Sequence, residues 1–517
     1  MNLFRKSIYT LVALAAAPVL VGCDSFLEEY SQDLAKVQSW EDLDELLIGG
    51  AYMQPGTAGD QINGSGGDNI NAVHFMSDEM VMFAYGQMFD ASTMGENNFA
   101  FYTWQKDTGI DEKFSYRGGD ERYFNDLYNK IAVCNQVLSQ IDSQPVNSPG
   151  DVREIARVKG EAHFLRGFYY FLLANLYSEP YEPSTAASKM GVPLKLSAQI
   201  EDREFQRGTL AQTYAQILSD LQSAETELEG TTRTTVHQAN QAAARLLLAR
   251  VYLYMQDYVN AEAYAHKVIA SDGALLDLNA FPTDDNFFGG SNPEILFAMG
   301  DYEIANAYLF DSYGAPAWSL SEDIAGLFVP GDLRSEKYIV SVETGWNPTV
   351  YNVFHKYGGP SGSSYTAGSI ATFRSAEAYL IEAEACACLD READARQALE
   401  SLLAKRHSSE VKVTSAGAEL ISFIRDERAR EFLLEGHRWF DLRRYSVNVK
   451  QPYTKEITHG YAYMGGWGVE YFDWYRLEPG DAAYTLALPR AILQFQPSLG
   501  TVVRPDRQAF KTTDSYE

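Results

Sequence analysis

Apolar positions recur at helical spacing over two long parts of the chain and lose that spacing around them. The first clear face lies in WEDLDELLIGG, where Leu43, Leu46 and Leu47 fall on one side and predict a helix. From about residue 121 the pattern is sustained. YFNDLYNKIAVCNQVLSQI, VREIARVKGEAHFLRGFYYFLLANLY, LAQTYAQILSDLQSAETEL and QAAARLLLARVYLYMQDYVNAEAYAHKVIAS follow one another with only short polar breaks. It resumes in FRSAEAYLIEAEACACLDREADARQALESLLAKRH. Helices are therefore predicted over about 121–271 and 372–445. The stretches at about 50–120, 275–371 and 450–485 are rich in Gly, Asn, Ser and aromatic residues, as in QPGTAGDQINGSGGDNIN, YGGPSGSSYTAGS and YAYMGGWGVEYFDWYRLEPG, and read as loop-rich insertions.

The helices have internal self-similarity. Ala249, Tyr252, Ala261 and Ala265 stand at the offsets of a tetratricopeptide hairpin, and Ala383, Cys386, Ala395 and Leu399 repeat them. Small residues at those offsets let two helices approach closely, and short polar turns such as MQDYVN and LDREAD join them. The expected fold class is mainly α: tetratricopeptide-like helical pairs form a scaffold, and a loop-rich irregular half forms a ligand-binding face.

The N-terminus adds a processing signal. Arg5 and Lys6 precede the apolar run IYTLVALAAAPVLV, which is too short for a permanent membrane span and fits a secretory signal. It ends in LVGC, which resembles a bacterial lipobox. Residues 1–22 are expected to be removed and Cys23 to carry the lipid, leaving 23–517 as a single domain whose contact with the membrane is through that anchor only. The chain holds 70 acids against 42 Lys and Arg, a formal charge of −28, which disfavours nucleic acid and anionic lipid as partners.

Four cysteines in 517 residues do not make a disulfide framework. Cys386 and Cys388 point apart on a helix, and Cys134 sits on an apolar face as a core residue. The eight histidines never fall at a ligand spacing, and HExxH is absent. PTDDNFFGG and GGDNIN do not follow an EF-hand loop and read as solvated acidic loops. No metal and no cofactor is expected.

The densest charge lies in IRDERAREFLLEGHRWFDLRRY, from Ile424 to Tyr445. Its six arginines and five acids nearly cancel, so it offers nucleic acid little field. It reads as one structural helix. Ile421, Ile424, Phe432, Leu433, Trp439 and Phe440 are its buried faces, and Asp426–Arg430, Glu435–Arg438 and Asp441–Arg444 are local ion pairs.

This stretch closely resembles the signature of the SusD/RagB family, through Ile424, Arg425, Glu427, Arg428, Glu431, Glu435, Gly436, Arg438, Trp439, Phe440, Asp441, Leu442 and Arg444. The resemblance extends over nearly the whole chain, to CDSFLEEYSQD, VKGEAHFLRGFYYFLLANLYSEPY, FRSAEAYLIEAEA and AAYTLALPRAILQFQPSL. Two departures, SEP after Tyr177 and Gly500-Thr501 after Leu499, touch structural edges. The resemblance implies a non-catalytic lipoprotein of the cell outer membrane, facing the extracellular side. It would bind an oligomeric nutrient and act as a lid on a SusC-type TonB-dependent transporter barrel.

The family includes binders of oligosaccharides and of peptides, and an oligosaccharide is the first expectation. Placed by region in the loop-rich segments, the expected ligand contacts are Asp68, Asn69, Asn71, Trp104, Tyr302, Trp318 and Trp346. The alternative is a lipid-anchored extracellular glycoside hydrolase or peptidase, which needs converging carboxylates such as Asp68 and Asp78. No GxSxG motif or phosphate-binding loop supports an enzyme.

Overall fold

The computed structural model describes residues 37–54, 70–82, 98–231, 234–282, 286–289, 291–300, 318–344, 347–356, 370–465 and 468–515. Its frame is an array of helices in which each packs on the next. α1 (Trp40–Gly50) buries Leu43 and Leu47, with Leu46 at the edge of the core. It lies against α2 (Arg122–Gln140) and α3 (Pro149–Tyr177). The polar break before α3 works as a cap. The Ser148 hydroxyl accepts the Asp151 N–H at 3.3 Å, the Asp151 carboxylate accepts the Ser148 N–H at 3.1 Å, and Pro149 occupies the first turn.

α4 (Leu210–Glu227) packs on α3 where that helix has no side chains: a Cβ at Gly160 would lie 2.7 Å from Leu228, and one at Gly167 3.0 Å from Leu221. α5 (Gln241–Tyr254) and α6 (Tyr258–Asp272) form the next hairpin, and α7 (Ser375–Cys388) and α8 (Glu392–Leu403) another. The tetratricopeptide positions behave as expected. Ala249, Ala261, Ala265, Ala383, Cys386, Ala395 and Leu399 are fully buried and Tyr252 nearly so. α6 packs directly on α7, so the array is continuous in space although residues 273–374 intervene in the chain.

The loop-rich parts carry more strand than their texture predicts. β1 (Met80–Met82) pairs with β3 (Trp318–Leu320), and β2 (Ile295–Ala298) pairs with β6 (Thr372–Arg374) at the foot of α7. β4 (Ile339–Thr344) and β5 (Asn347–Phe354) form an antiparallel ribbon. The 450–485 region, expected to be irregular, holds a long antiparallel pair, β7 (Ile457–Gly465) and β8 (Gly468–Leu477), with β9 (Lys511–Thr513) along its edge. Phe472 and Trp474, two apart, share one buried face, which is the period of a strand. The Trp474 ring lies where Gly460 opposite has no side chain.

The signature stretch also departs from expectation, because it is two helices. α9 (Gly417–Glu431) ends, the chain turns through Leu434 (φ +53°) and Gly436 (φ +81°), and α10 (Arg438–Ser446) begins. A side chain at Gly436 would have to adopt a left-handed backbone while its Cβ lay 3.2 Å from Ile370. The predicted core residues are buried on both sides of this turn, Trp439 among them.

Candidate functional site

The turn breaks the helical spacing on which the predicted Glu435–Arg438 pair depended, and both residues find distant partners; Asp426–Arg430 lies within α9, where Arg430 takes a different acid one turn back. Arg430 goes to Glu427 at 2.7 Å and to the Leu327 carbonyl, not to Asp426. Glu435 accepts from Lys356 at 2.6 Å and Arg374 at 2.7 Å, and Arg438 leaves for Asp78. Only Asp441–Arg444 forms as expected, at 2.8 Å.

The result is a neutral ionic core. Glu431 accepts from Arg406 at 2.8 Å, Arg374 at 2.9 Å and Arg334 at 3.1 Å, and all four side chains are fully buried. Glu294 closes the ring onto Arg406 at 2.5 Å and Arg374 at 2.6 Å. A second group joins α5, α7, α9 and α10 through Arg250–Glu377 (2.6 Å), Arg428–Asp441 (2.8 Å) and Arg444–Glu384 (2.6 Å). Burial opposes ionisation of Glu431, yet Arg406, Arg374 and Arg334 hold its carboxyl well below the usual range. The same contest leaves Glu427 at about 2, through Arg334 and Arg430. Carboxylates so thoroughly paired are poor proton donors, and the charges of the signature serve to hold its elements together.

A clasp ties the early loop region to the signature turn. Asp78 takes both Arg438 Nε (2.7 Å) and Nη2 (2.8 Å), and Lys455 bridges it to Asp323 at 2.7 and 2.8 Å. Glu79 accepts the Leu434 N–H at 2.7 Å, and Ser321 donates to the Asp78 carbonyl at 2.6 Å. Burial opposes ionisation of Asp78, but Arg438 and Lys455 hold it well below the usual carboxylate range, so it is unsuited to general acid work.

Glu79 behaves oppositely. Burial raises it to about 7, with Asp78 adding to the rise and the Leu434 N–H working against it. Its folded value exceeds the unfolded one, so its contribution to stability is complete below the unfolded value and is lost as pH rises through about 7. Each unit of that separation is worth about 1.4 kcal/mol. Glu79→Gln is therefore expected to melt higher than the parent at pH 8 and to flatten the fall in Tm between pH 5 and 8. An unchanged slope in a Tm–pH series would refute this.

Three of the predicted ligand residues are described, and all three are buried. Trp104 is fully covered; its indole donates to the Met76 carbonyl at 2.9 Å and its ring stacks on His459 at 4.3 Å. Trp318 meets Phe75 and Tyr102 edge-on at 5.0 and 4.8 Å. Asn71 is 5% exposed and precedes the short helix Ala72–Met76. As placed, neither tryptophan presents a ring face to solvent. Cys23, Asp68, Asn69, Tyr302 and Trp346 lie outside the described residues.

What the structure brings together instead is a cavity of about 640 Å³. One wall is the end and exit of α1, with Asp44, Ile48, Tyr52, Met53 and Gln54. The second is the first half of α3, with Glu154, Arg157 and Glu161. The third is formed by residues 234–238 and by Ala298–Gly300 beyond β2. Backbone bonds tie the walls: Gly300 N–H to the Met53 carbonyl at 3.0 Å and Ala298 N–H to the Val236 carbonyl at 2.8 Å. At the floor, Glu161 accepts from Tyr52 Oη (2.7 Å), Arg157 (2.8 Å) and Gln238 (3.0 Å).

Burial raises Glu161 while Arg157 and Tyr52 oppose the rise. His237 gives one ring nitrogen to the Ala298 carbonyl at 2.9 Å. Among the described lining residues there is no nucleophile beside a base; the arrangement suits binding, with an apolar side at Met53 and Met299 and polar groups opposite. Glu161 falls within a segment that resembles the family, VKGEAHFLRGFYYFLLANLYSEPY, but that resemblance marked a helix and not a cavity. The available signal was Arg157 and Glu161, an ion pair one turn apart on a helix otherwise rich in apolar residues.

Among the described residues no helix is long and apolar enough to cross a membrane, and no group of three or more His, Cys, Asp or Glu is placed to hold a metal ion. Cys134, Cys386 and Cys388 are buried and free.

The comparisons with known proteins agree with this architecture. A family model described as starch-binding associating with outer membrane matches residues 68–253, and the model of the SusD family matches residues 336–489. The SusD-like protein P38 of Formosa agariphila is 24% identical over 394 residues, 63% of this chain and 72% of its own. A SusD-like carbohydrate binding protein from Bacteroides vulgatus superposes with a TM-score of 0.66 at 20% identity, over 90% of this chain and 98% of its own. A SusD superfamily protein from Bacteroides thetaiotaomicron does so with 0.66 at 21%, over 90% and 100%. With its helical array, its ion-locked signature turn and both family matches, the chain belongs to the SusD/RagB family.

Proposed function

We propose that this protein binds an oligomeric nutrient at the outer cell surface and delivers it, as a lid, to a SusC-type TonB-dependent transporter. The observation that carries this reading is the cavity. Its walls include Gln54 and Gly300, which lie within two of the loop-rich regions, about 50–120 and 275–371, expected to carry ligand contacts. Oligosaccharide is the favoured ligand, in keeping with the Bacteroides vulgatus relative, which is named a carbohydrate binding protein. Asp68, Asn69, Tyr302 and Trp346 remain proposed contacts in those segments. The protein is read as a binding protein without catalytic activity, because the carboxylates of its strongest motif are held ionised by buried cations.

The test is a binding screen by native mass spectrometry, with the chain from Asp24 onward against mixed oligosaccharides and mixed peptides. Retention of a glycan series is expected. Retention of peptides alone would replace the ligand class, and turnover of either pool would replace the function.

The single-domain body from residue 23 is proposed to be held to the membrane by lipid on Cys23, after removal of residues 1–22. Cys23→Ala is expected to move the protein from the membrane fraction to the soluble fraction. Continued sedimentation with membranes would reject the anchor.

A further inference from the structure

The negative charge of this chain is concentrated. From Val37 to Gln105 there is no Lys or Arg and there are ten acids; from Val268 to Leu333 there is again none, with eleven acids. These two stretches account for −21 of the formal −28. Acidity kept for solubility alone would be spread over the surface with basic residues interspersed. Among the described acids of these stretches, Asp78, Asp277, Glu294, Asp323 and Asp332 are paired with cations elsewhere, and Asp44 lines the cavity.

The described lining is acidic in its own right. It holds the carboxylates of Asp44, Glu154 and Glu161, one guanidinium, Arg157, and the His237 imidazole, whose ring is engaged by the Ala298 carbonyl. The guanidinium is already committed: Nε to Glu154 at 2.7 Å, Nη1 to Glu161 at 2.8 Å and to Asp44 at 3.1 Å, Nη2 to Asp44 at 2.7 Å. Glu161 is buried and satisfied by Tyr52 and Gln238. The side chains of Glu154 and Asp44 keep 41% and 19% of their exposure, so the unneutralised charge faces the cavity. Partly enclosed walls, apolar at Met53 and Met299, focus that field on whatever enters.

We propose that the cavity selects oligomers bearing protonated primary amines, with free amino sugars as the expected source, and rejects uronate- or sulfate-bearing ones. The proposal rests on reading the cavity as the ligand site. An amino sugar can lay its C–H face on the methionine wall while its ammonium group meets Glu154 and Asp44, completing the ion balance that Arg157 leaves open. A lysine side chain offers the same ammonium chemistry on a peptide.

The experiment is isothermal titration of the lipid-free mature chain at mildly acidic pH. The probes are hexamers of glucosamine, N-acetylglucosamine, glucose and galacturonate, and a lysine-containing hexapeptide. The glucosamine hexamer is expected to bind at least about tenfold tighter than its N-acetylated counterpart at about 0.02 M salt. The gap should narrow at about 0.3 M, where the Debye length falls below the span of the cavity. Glu154→Gln is expected to shrink the ratio of glucosamine-hexamer to N-acetylglucosamine-hexamer affinity, and an unchanged ratio would remove Glu154 from the charge selection. Equal binding of all glycans, or a preference for galacturonate, would overturn the charge selection and leave the cavity a ligand site. Binding of the lysine peptide alone would keep the ammonium chemistry and move its source to peptides. Binding of none of the probes would overturn both the selection and the reading of the cavity beneath it.

Discussion

Glu431→Ala is expected to leave a chain that does not hold its native fold at ambient temperature. The residue accepts hydrogen bonds from three guanidiniums, Arg334, Arg374 and Arg406, none of which has any solvent exposure. Removing one partner of a buried pair costs about 3–5 kcal/mol, because the remaining charge stays in a poor solvent. Here the loss leaves three such charges with one carboxylate fewer among them. Domains are stable by about 5–15 kcal/mol in total, and a cost of that size at even two of the three guanidiniums, about 6–10 kcal/mol, is enough to consume such a margin. Urea unfolding followed by circular dichroism measures it, with Glu431→Gln as the milder variant that keeps an acceptor. A Glu431→Ala protein with an unshifted midpoint and abolished ligand binding would reverse the assignment and make the signature part of the binding chemistry.

Trp439→Ala is expected to cost about 3–5 kcal/mol, the usual range for removing a large buried aromatic. Trp439 is 1% exposed and its ring stacks on Tyr484 at 5.0 Å with 17° between the planes. The stack fastens the start of α10 to the segment after β8. The expected signature is a lower Tm with ligand affinity preserved well below the transition. An unchanged melt with weakened binding would place the ring at the ligand instead.

The helical half was legible in the residues because its signals are local. A face of Leu43 and Leu47 and alanines at hairpin offsets each act within a few positions of themselves. The signature's burial was legible for a related reason: arginines and acids that dense among large apolar residues are stable only when paired. Their partners were not. Arg406, Arg334 and Arg374 lie 25, 97 and 57 residues from Glu431, and nothing in the local pattern encodes which strand or helix will bring them. The helix break was hidden because EGHRW continues the charge rhythm while Leu434 and Gly436 reverse the backbone.

The candidate site was the least legible part. Trp104 and Trp318 have the chemistry of sugar platforms, but whether a ring faces solvent is settled by what packs over it, here His459, Tyr102 and Phe75. The cavity walls draw single residues from α1, α3, the 234–238 segment and the end of β2, and no local pattern encodes that these four places meet.

Because α6 and α7 lie side by side, the hundred or so residues between Asp272 and Ser375 depart from the array and return to the same place. Such an excursion is a cassette. Doubling its length would cost the frame only about 0.6 kcal/mol of closure entropy. The frame's own ion pairs reach into it at a few fixed points, Glu294, Arg334 and Lys356 among them. Further fixed points are β2 against β6, β3 against β1, and Ser321 and Asp323 in the clasp around Asp78, so an exchange must keep these while the chain between them varies. A lineage could thus be re-addressed to a new cargo by grafting a different excursion onto an unaltered chassis, and the same graft is the natural unit for engineering one.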